Sequence, residues 1–79
     1  MAASLTNPRL TLGGNARLVY YRINGICVES ALRLRPGHAV EIQLGEGRDG
    51  RVRCASVATW TVARLGSDGP TYAGMCEWV

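Results

Sequence analysis

The chain contains no lysine and no phenylalanine in its 79 residues. Nine arginines therefore carry all of its positive side-chain charge, and against six acidic residues they leave a net charge of +3. Arginine binds phosphate through a planar fork, whereas lysine acts as a point charge. These arginines are spread along the chain, but a nucleic-acid footprint needs a basic cluster. The composition is typical of GC-rich coding and does not favour nucleic acid as a partner.

Cysteine and histidine are too few and too scattered for a metal site. Cys27, Cys54 and Cys76 stand far apart without a CxxC pair, and His38 is the single histidine. A closed zinc site needs four ligands. We therefore expect no metal and three free thiols that are buried as small hydrophobic side chains. Free thiols indicate a reducing compartment, which favours the cytoplasm.

Long apolar runs and catalytic motifs are also lacking. No stretch approaches the length that crosses a membrane, and no basic region leads into an apolar run near the N-terminus. The sequence shows no nucleophile, base and orienting group that belong together, and His38 follows Pro36-Gly37 at an expected surface turn. We predict a cytoplasmic protein that is not an enzyme and is not inserted in a membrane.

The length of the chain limits it to one small domain. A domain of this size buries only about 60% of the surface that its unfolded chain exposes, so pairing would stabilise it. Both a monomer and a homodimer stay open. Breakers at Asn7-Pro8 and at Gly13-Gly14 assign residues 1–15 to an N-terminal arm or edge strand. Residues 16–79 are assigned to one barrel domain.

Short segments between glycine turns predict an all-β fold. Residues 16–23 are rich in β-branched and aromatic side chains, and the turn signal Asn24-Gly25 leads into residues 26–28, which predicts a hairpin. Residues 30–35 are too short for a stable helix. The apolar residues at 40, 42 and 44 alternate with polar ones, which predicts a strand with these three side chains in the core.

The second half of the chain predicts further antiparallel strands. After a polar loop at 45–50, residues 51–63 alternate as one long strand. Six side chains would then share one face: Val52, Cys54, Ser56, Ala58, Trp60 and Val62. A turn at 66–70 and a last strand at 71–79 complete the pattern. The sum is a small antiparallel barrel of six strands.

Few aromatic residues are available to fill this barrel. Trp60 and Trp78 are expected to anchor the core, although Trp78 near the end is alternatively an exposed aromatic that binds a partner. The pair Tyr20-Tyr21 is flanked by arginines and fits either a base-stacking face or an ordinary strand with one tyrosine packed inward. Four carboxylates are expected to be solvated charges: Glu29, Glu41, Glu46 and Asp49.

The order of these features resembles the PilZ domain, a bacterial six-stranded barrel whose members mostly bind the second messenger cyclic di-GMP. The resemblance lies in residues 19–26, 34–44, 52–60 and 72–78. In that family one strand ends in a DxSxxG motif, and a Pro-Gly turn starts a strand of alternating aliphatic residues. The next long strand carries a tryptophan, and the last strand has a glycine shortly before an aromatic residue.

The motifs that bind the dinucleotide in the family are incomplete here. Gly25 takes the place of the motif glycine, but Tyr20 and Arg22 stand where DxSxxG has its acidic residue and its serine. The family also has two arginines separated by three residues, whereas Arg9 and Arg17 are separated by seven. The clamp of paired arginines for a dianionic ligand is therefore missing.

The resemblance implies a degenerate PilZ-like regulatory domain that acts through a protein partner in signalling or motility. Cyclic di-GMP binding would be weak or lost, and no other cofactor is expected. One alternative is a cyclic di-GMP receptor with a noncanonical ligand set. That set consists of Arg9, Arg17, Arg22, Asn24 and Gly25. A second alternative is a small barrel that binds nucleic acid through its backbone charge.

Overall fold

The computed structural model describes residues 8–44 and 51–79, and all regular structure in these two ranges is β-strand. The seven strands are β1 (Arg9–Thr11), β2 (Ala16–Arg22), β3 (Gly25–Ser30), β4 (Ala39–Leu44), β5 (Arg51–Val57), β6 (Thr61–Gly66) and β7 (Gly69–Trp78). Within the described ranges no helix is long and apolar enough to cross a membrane.

The strands form one curled sheet in the order β1-β4-β5-β7-β3-β2, and β6 pairs with β7 outside this path. Every pair is antiparallel except β1 with β4, which is parallel. The two ends of the path approach each other at the turn between β1 and β2, where Leu12 pairs with Ala16. The sheet is therefore a half-barrel with its core on the inner face.

The turn between β1 and β2 is held by polar contacts to the backbone. The side-chain oxygen of Asn15 accepts a hydrogen bond from the Thr11 amide at 2.6 Å, and its side-chain nitrogen donates to the Arg9 carbonyl at 2.9 Å. The Ser30 hydroxyl donates to the Asn15 carbonyl at 2.6 Å. These contacts hold β1 at the edge of the sheet, where Leu10 is fully buried.

Apolar side chains from most of the strands fill the inner face. The buried core consists of Leu10, Ala16, Ile26, Val28, Leu34, Val40, Ile42, Ala55, Val57, Trp60 and Cys76. Leu44 packs partly buried against this cluster. The predicted alternation of β4 is thereby confirmed, and the prediction that Trp60 anchors the core is also confirmed.

The all-β prediction is confirmed, but the count and the directions of the strands are wrong in part. The described sheet has seven strands instead of six, and β1 runs parallel to β4. The added strand is β6, because residues 51–63 do not form one strand. Instead, β5 ends at Val57, and the amides of Ala58 and Thr59 both donate to the Met75 carbonyl, at 2.7 and 3.3 Å.

This break changes which side chains share a face. Ala55, Val57 and Trp60 all belong to the buried core, although strict alternation would put Trp60 opposite the other two. Val52 and Cys54, which were expected to share a face with Trp60, are exposed. The prediction of one common face is therefore wrong beyond Val57. Where the chain leaves β5, the buried side chains shift from odd-numbered to even-numbered positions.

The ring of Trp60 packs against β7 at Gly74. The indole Nε1 donates to the Leu32 carbonyl at 3.1 Å, which fixes the ring. A Cβ atom built at Gly74 would lie 2.6 Å from Cε3 of Trp60 and would overlap the carbonyl oxygen of Thr59. Glycine at position 74 therefore allows the segment after β5 to lie directly on β7.

The three cysteines differ in their environments. Cys76 is buried, Cys27 is half-buried and Cys54 is exposed on β5. The expectation of buried thiols is right for Cys76 and wrong for Cys54, which pairs with Glu41 on the outer face. Burial, with a smaller contribution from neighbouring Cys27, raises the pKa of the Cys76 thiol to about 11.

We predict that Gly74→Ala lowers the free energy of unfolding by about 2–3 kcal/mol, because the added methyl group overlaps backbone that cannot move aside cheaply. Urea denaturation followed by tryptophan fluorescence measures the change. Gly66→Ala is the matched control, since its Cβ would meet only the Gly69 carbonyl at 3.6 Å. Equal losses in the two variants would contradict the proposed role of Gly74.

Candidate functional site

The exposed apolar side chains concentrate on β2 and on the turn that follows it. Ile23 is 99% exposed, and Leu18, Val19, Tyr20 and Tyr21 are 43–52% exposed. We call residues 17–23 the β2 surface. Scattered exposed hydrophobic residues are ordinary, but a contiguous patch of them marks an interaction site.

Strand β2 is the last strand of the sheet path. One of its edges pairs with β3 from Ala16 to Arg22. Among the described residues, the other edge has a single bridge, from Ala16 to Leu12. The backbone N–H and C=O groups along that edge are therefore available to a further strand.

A β-bulge at Val19 determines where the tyrosines lie. The register shifts between Leu18 and Tyr20, so Leu18 pairs with Val28 on the inner face while Tyr20 pairs with Cys27 on the outer face. Tyr21 returns to the inner side but stays 52% exposed. The expectation that one tyrosine packs inward holds for the side of the sheet on which Tyr21 lies, although its ring stays half exposed at the rim of the half-barrel, and the bulge places Tyr20 on the opposite side.

Tyr21, on the inner side of β2, contacts Trp78. The rings of Tyr21 and Trp78 are tilted with their centroids 6.0 Å apart, and the Arg53 guanidinium lies 4.3 Å from the centroid of Trp78. Trp78 is half-buried against the core. Its Nε1 is buried without a hydrogen-bond partner within the described ranges. Trp78 therefore contacts both the hydrophobic core and Tyr21 of the β2 surface.

Each of the three arginines in the predicted ligand set contacts a different group of this chain. Arg9 pairs with Glu41 at 2.8 Å. The guanidinium of Arg17 lies 3.3 Å from the Glu29 carboxylate, and that of Arg22 lies 5.3 Å from the centroid of the Tyr20 ring.

The three arginines do not form one cluster. Arg17 and Arg22 lie on the outer side of β2, where their register partners are Glu29 and Gly25. Arg9 lies on β1, at the other end of the sheet path. The structure therefore brings two of the three onto one strand and leaves the third on another.

Glu29 is the centre of the charged contacts beside the β2 surface. Its carboxylate accepts from Arg17 and, at 3.0 Å, from Arg64 on β6, and its side chain is only 14% exposed. The expectation of a freely solvated charge is wrong for Glu29, because β6 brings a second guanidinium to it. Glu41 also forms an ion pair, and positions 46 and 49 lie outside the described residues.

The two remaining predicted ligand residues have backbone roles. The Asn24 carbonyl accepts from the Trp78 amide at 3.0 Å. Gly25 is buried, and a Cβ there would lie 2.9 Å from Cε of Met75 and would overlap the Cys76 carbonyl. The close approach of β3 to β7 is therefore sufficient to require glycine at position 25.

The arrangement is suited to an extended polypeptide. It offers an unpaired strand edge with apolar side chains on both sides, and its Arg17 is already paired with Glu29. The inference from sequence did not include Val19 and Ile23. Their signal was present, because residues 18–21 are four consecutive apolar or aromatic residues and therefore depart from simple alternation.

Comparisons with protein-family models, with curated proteins and with solved structures found no match to this chain. The interpretation of the β2 surface therefore depends on its own residues and contacts.

We predict that Glu29→Gln lowers the free energy of unfolding by about 1–2 kcal/mol, because a poorly exposed acceptor of two guanidiniums loses its charge. Thermal or urea unfolding measures this. Glu41→Gln is the control, since it loses one pair with an exposed arginine, worth about 0.5 kcal/mol. An effect of Glu29→Gln no larger than that of the control would contradict the account of this network.

Proposed function

We propose that this chain is a PilZ-like regulatory domain that acts by binding a protein partner, with cyclic di-GMP binding weak or lost. The partner docks an extended segment along the free edge of β2. The observation that carries this proposal is the concentration of exposed apolar side chains on an edge strand. Natural proteins usually protect such edges with charge, proline or a covering element.

The chemistry of the β2 surface supports strand addition as the binding mode. In strand addition the backbone hydrogen bonds supply affinity, and alternate side chains supply specificity. Tyr20 and Tyr21 offer large contact areas on opposite sides of the edge, and Ile23 extends the apolar surface past the end of the strand. Aromatic residues of this kind are typical of the energetic centre of an interface.

The arginine contacts support weak or lost dinucleotide binding. A dianion at Arg9 or Arg17 would have to compete with Glu41 or Glu29 for the same guanidinium groups. Arg22 alone cannot provide the paired clamp. The resemblance to PilZ barrels further supports a bacterial, cytoplasmic setting and a partner from signalling or motility machinery.

A photo-crosslinking amino acid at position 23 of the full chain, in living cells, tests the partner. We expect one discrete crosslinked protein, which is absent when the same group replaces Leu65, an 81% exposed residue on β6. The identified protein is then purified and titrated. Val19→Glu should weaken its binding at least about 10-fold, because the charge must be desolvated at the interface.

Three outcomes would contradict the partner proposal. The purified protein could bind the Val19→Glu variant as tightly as the original chain. Hydrogen exchange of the β2 amides could be unchanged in the complex. A dimer of this chain that dissociates on Val19→Glu would show instead that a second copy occupies the edge.

Titration with cyclic di-GMP, followed by heteronuclear NMR, tests the second half of the proposal. We expect no saturable shift of the amide signals of Arg22, Asn24 and Gly25 at micromolar concentrations. Saturable shifts at these three positions, removed by Arg22→Ala, would contradict the loss of binding and would favour the noncanonical receptor.

A further inference from the structure

A cavity of about 630 Å³ opens at the end of the sheet where β3 ends and β6 begins. Its volume falls within the range of about 300–1,000 Å³ that is typical of small-molecule sites. Three basic side chains line it, Arg33, Arg35 and His38, together with the apolar side chains of Leu34, Trp60 and Val62. We call this cavity the Arg33 pocket. It shares no residue with the β2 surface.

The basic residues of the pocket are positioned by a turn. The His38 amide donates to the Arg35 carbonyl at 3.0 Å across Pro36-Gly37, and Gly37 has a φ of 94°. Proline followed by glycine with positive φ is the pattern of a type II turn. The Gly37 amide donates to the Val57 carbonyl at 2.7 Å, which fastens the turn to the end of β5.

The same turn determines which nitrogen of His38 can bind a ligand. The Arg35 amide donates to Nδ1 of His38 at 3.2 Å, so Nδ1 acts as an acceptor. The neutral imidazole therefore carries its hydrogen on Nε2. This N–H is a third donor beside the two guanidinium groups.

Among the described residues, no carboxylate forms an ion pair with the arginines of the pocket. The pocket lining contains no acidic residue. Within residues 8–44 and 51–79, Arg33 and Arg35 form no ion pair, as is also true of Arg22, Arg51 and Arg53, but only Arg33 and Arg35 line a common pocket. Two neighbouring cations without a counter-charge repel each other, and a bound anion would remove that repulsion.

An acidic residue lines the adjoining cavity. Asp68 lines a space of about 420 Å³ that shares Arg33 and Tyr72 with the Arg33 pocket. Asp68 therefore borders the site without forming an ion pair with Arg33 in the described part of the chain.

One wall of the pocket is apolar. The Nε1 atom of Trp60 already donates a hydrogen bond to the Leu32 carbonyl, so the part of the ring that faces the cavity is apolar. Val62, which is 53% exposed, supplies most of the accessible aliphatic surface, because Leu34 and Trp60 are each only 9% exposed. A bare inorganic anion would leave this wall in water, whereas an organic group attached to the anion would cover it.

We propose that the Arg33 pocket binds a small organic phosphate. The guanidinium groups of Arg33 and Arg35 and the Nε2–H of His38 hold the phosphate oxygens. The organic group lies against Leu34, Trp60 and Val62. Guanidinium groups bind phosphate through paired, charge-assisted hydrogen bonds, which gives this donor set its preference for phosphate.

Heteronuclear NMR titration of the full chain with adenosine monophosphate tests the proposal. We expect saturable shifts of the Arg33, Arg35 and His38 amides and of the Trp60 indole N–H. Adenosine should cause no saturable shift, because it lacks the phosphate. Inorganic phosphate should bind at least about 5-fold more weakly than the nucleotide, since it leaves the apolar wall uncovered.

Ribose 5-phosphate distinguishes the organic group. If the base contacts the apolar wall, adenosine monophosphate binds more tightly than ribose 5-phosphate. Equal affinities identify a sugar phosphate as sufficient. Both results support a phosphate site with an organic group, provided that both ligands shift the same pocket signals.

A pair of double variants separates a specific site from general charge attraction. Arg33→Gln with Arg35→Gln should weaken adenosine monophosphate binding at least about 10-fold, which corresponds to the loss of charge-assisted hydrogen bonds. Arg51→Gln with Arg53→Gln removes the same net charge at exposed positions on β5, outside the pocket, and should change the affinity less than about 2-fold.

Two results would overturn the proposal. One is an equal loss of affinity in the two double variants, which would show nonspecific charge attraction. The other is the absence of saturable shifts at Arg33, Arg35 and His38 with every phosphate ligand. Because the β2 surface contributes no residue to the pocket, either result would leave the proposed partner binding unaffected.

Discussion

The half-barrel depends on the pairing of β7 with three neighbouring strands. One edge of β7 pairs with β3 along residues 72–77, and the other is divided between β6 near its start and β5 near its end. Among the described strands no other has three partners. Between these two pairings the chain leaves β5 and packs closely against β7, and Gly74 provides the space for that contact.

The same constraint places the two candidate sites at separate ends of the sheet. Where β6 leaves β5, Trp60, Val62 and Tyr72 come beside the Pro36-Gly37 turn and enclose the Arg33 pocket. At the far end of β7, Trp78 meets Tyr21 of β2 at the open rim. The path ends at β2, so the strand with the most exposed apolar side chains is also a strand with a free edge.

The sequence correctly predicted those strands and turns that are determined by residues adjacent in the chain. The hairpin of β2 and β3 was predicted, although its turn lies at 23–24 and Gly25, which was expected in the turn, begins β3; the alternation of β4 follows from residues 39–44 alone. The break after Val57 was not predictable in this way. Its residues have strand propensity, and the break is made by hydrogen bonds to Met75, which is distant in the sequence.

The candidate sites show the same limit. Arg33, Arg35 and His38 lie on either side of the Pro36-Gly37 turn but were not predicted as a site, because Trp60 and Val62 of the pocket come from β6 and the segment that precedes it. The contact of Glu29 with Arg64 likewise needs β6 beside β7. The bulge at Val19 exchanges the sides of the sheet on which Tyr20 and Tyr21 lie. A strictly alternating strand pattern does not predict this exchange.

Cross-strand nuclear Overhauser effects around Cys76 and Gly74 test the central claim most directly. The account predicts that Cys76 shows backbone contacts to both Ile26 and Val57, and that the Trp60 ring contacts Gly74. A continuous strand over residues 51–63, with Cys76 beside only one neighbour and no contact between Trp60 and Gly74, would contradict it.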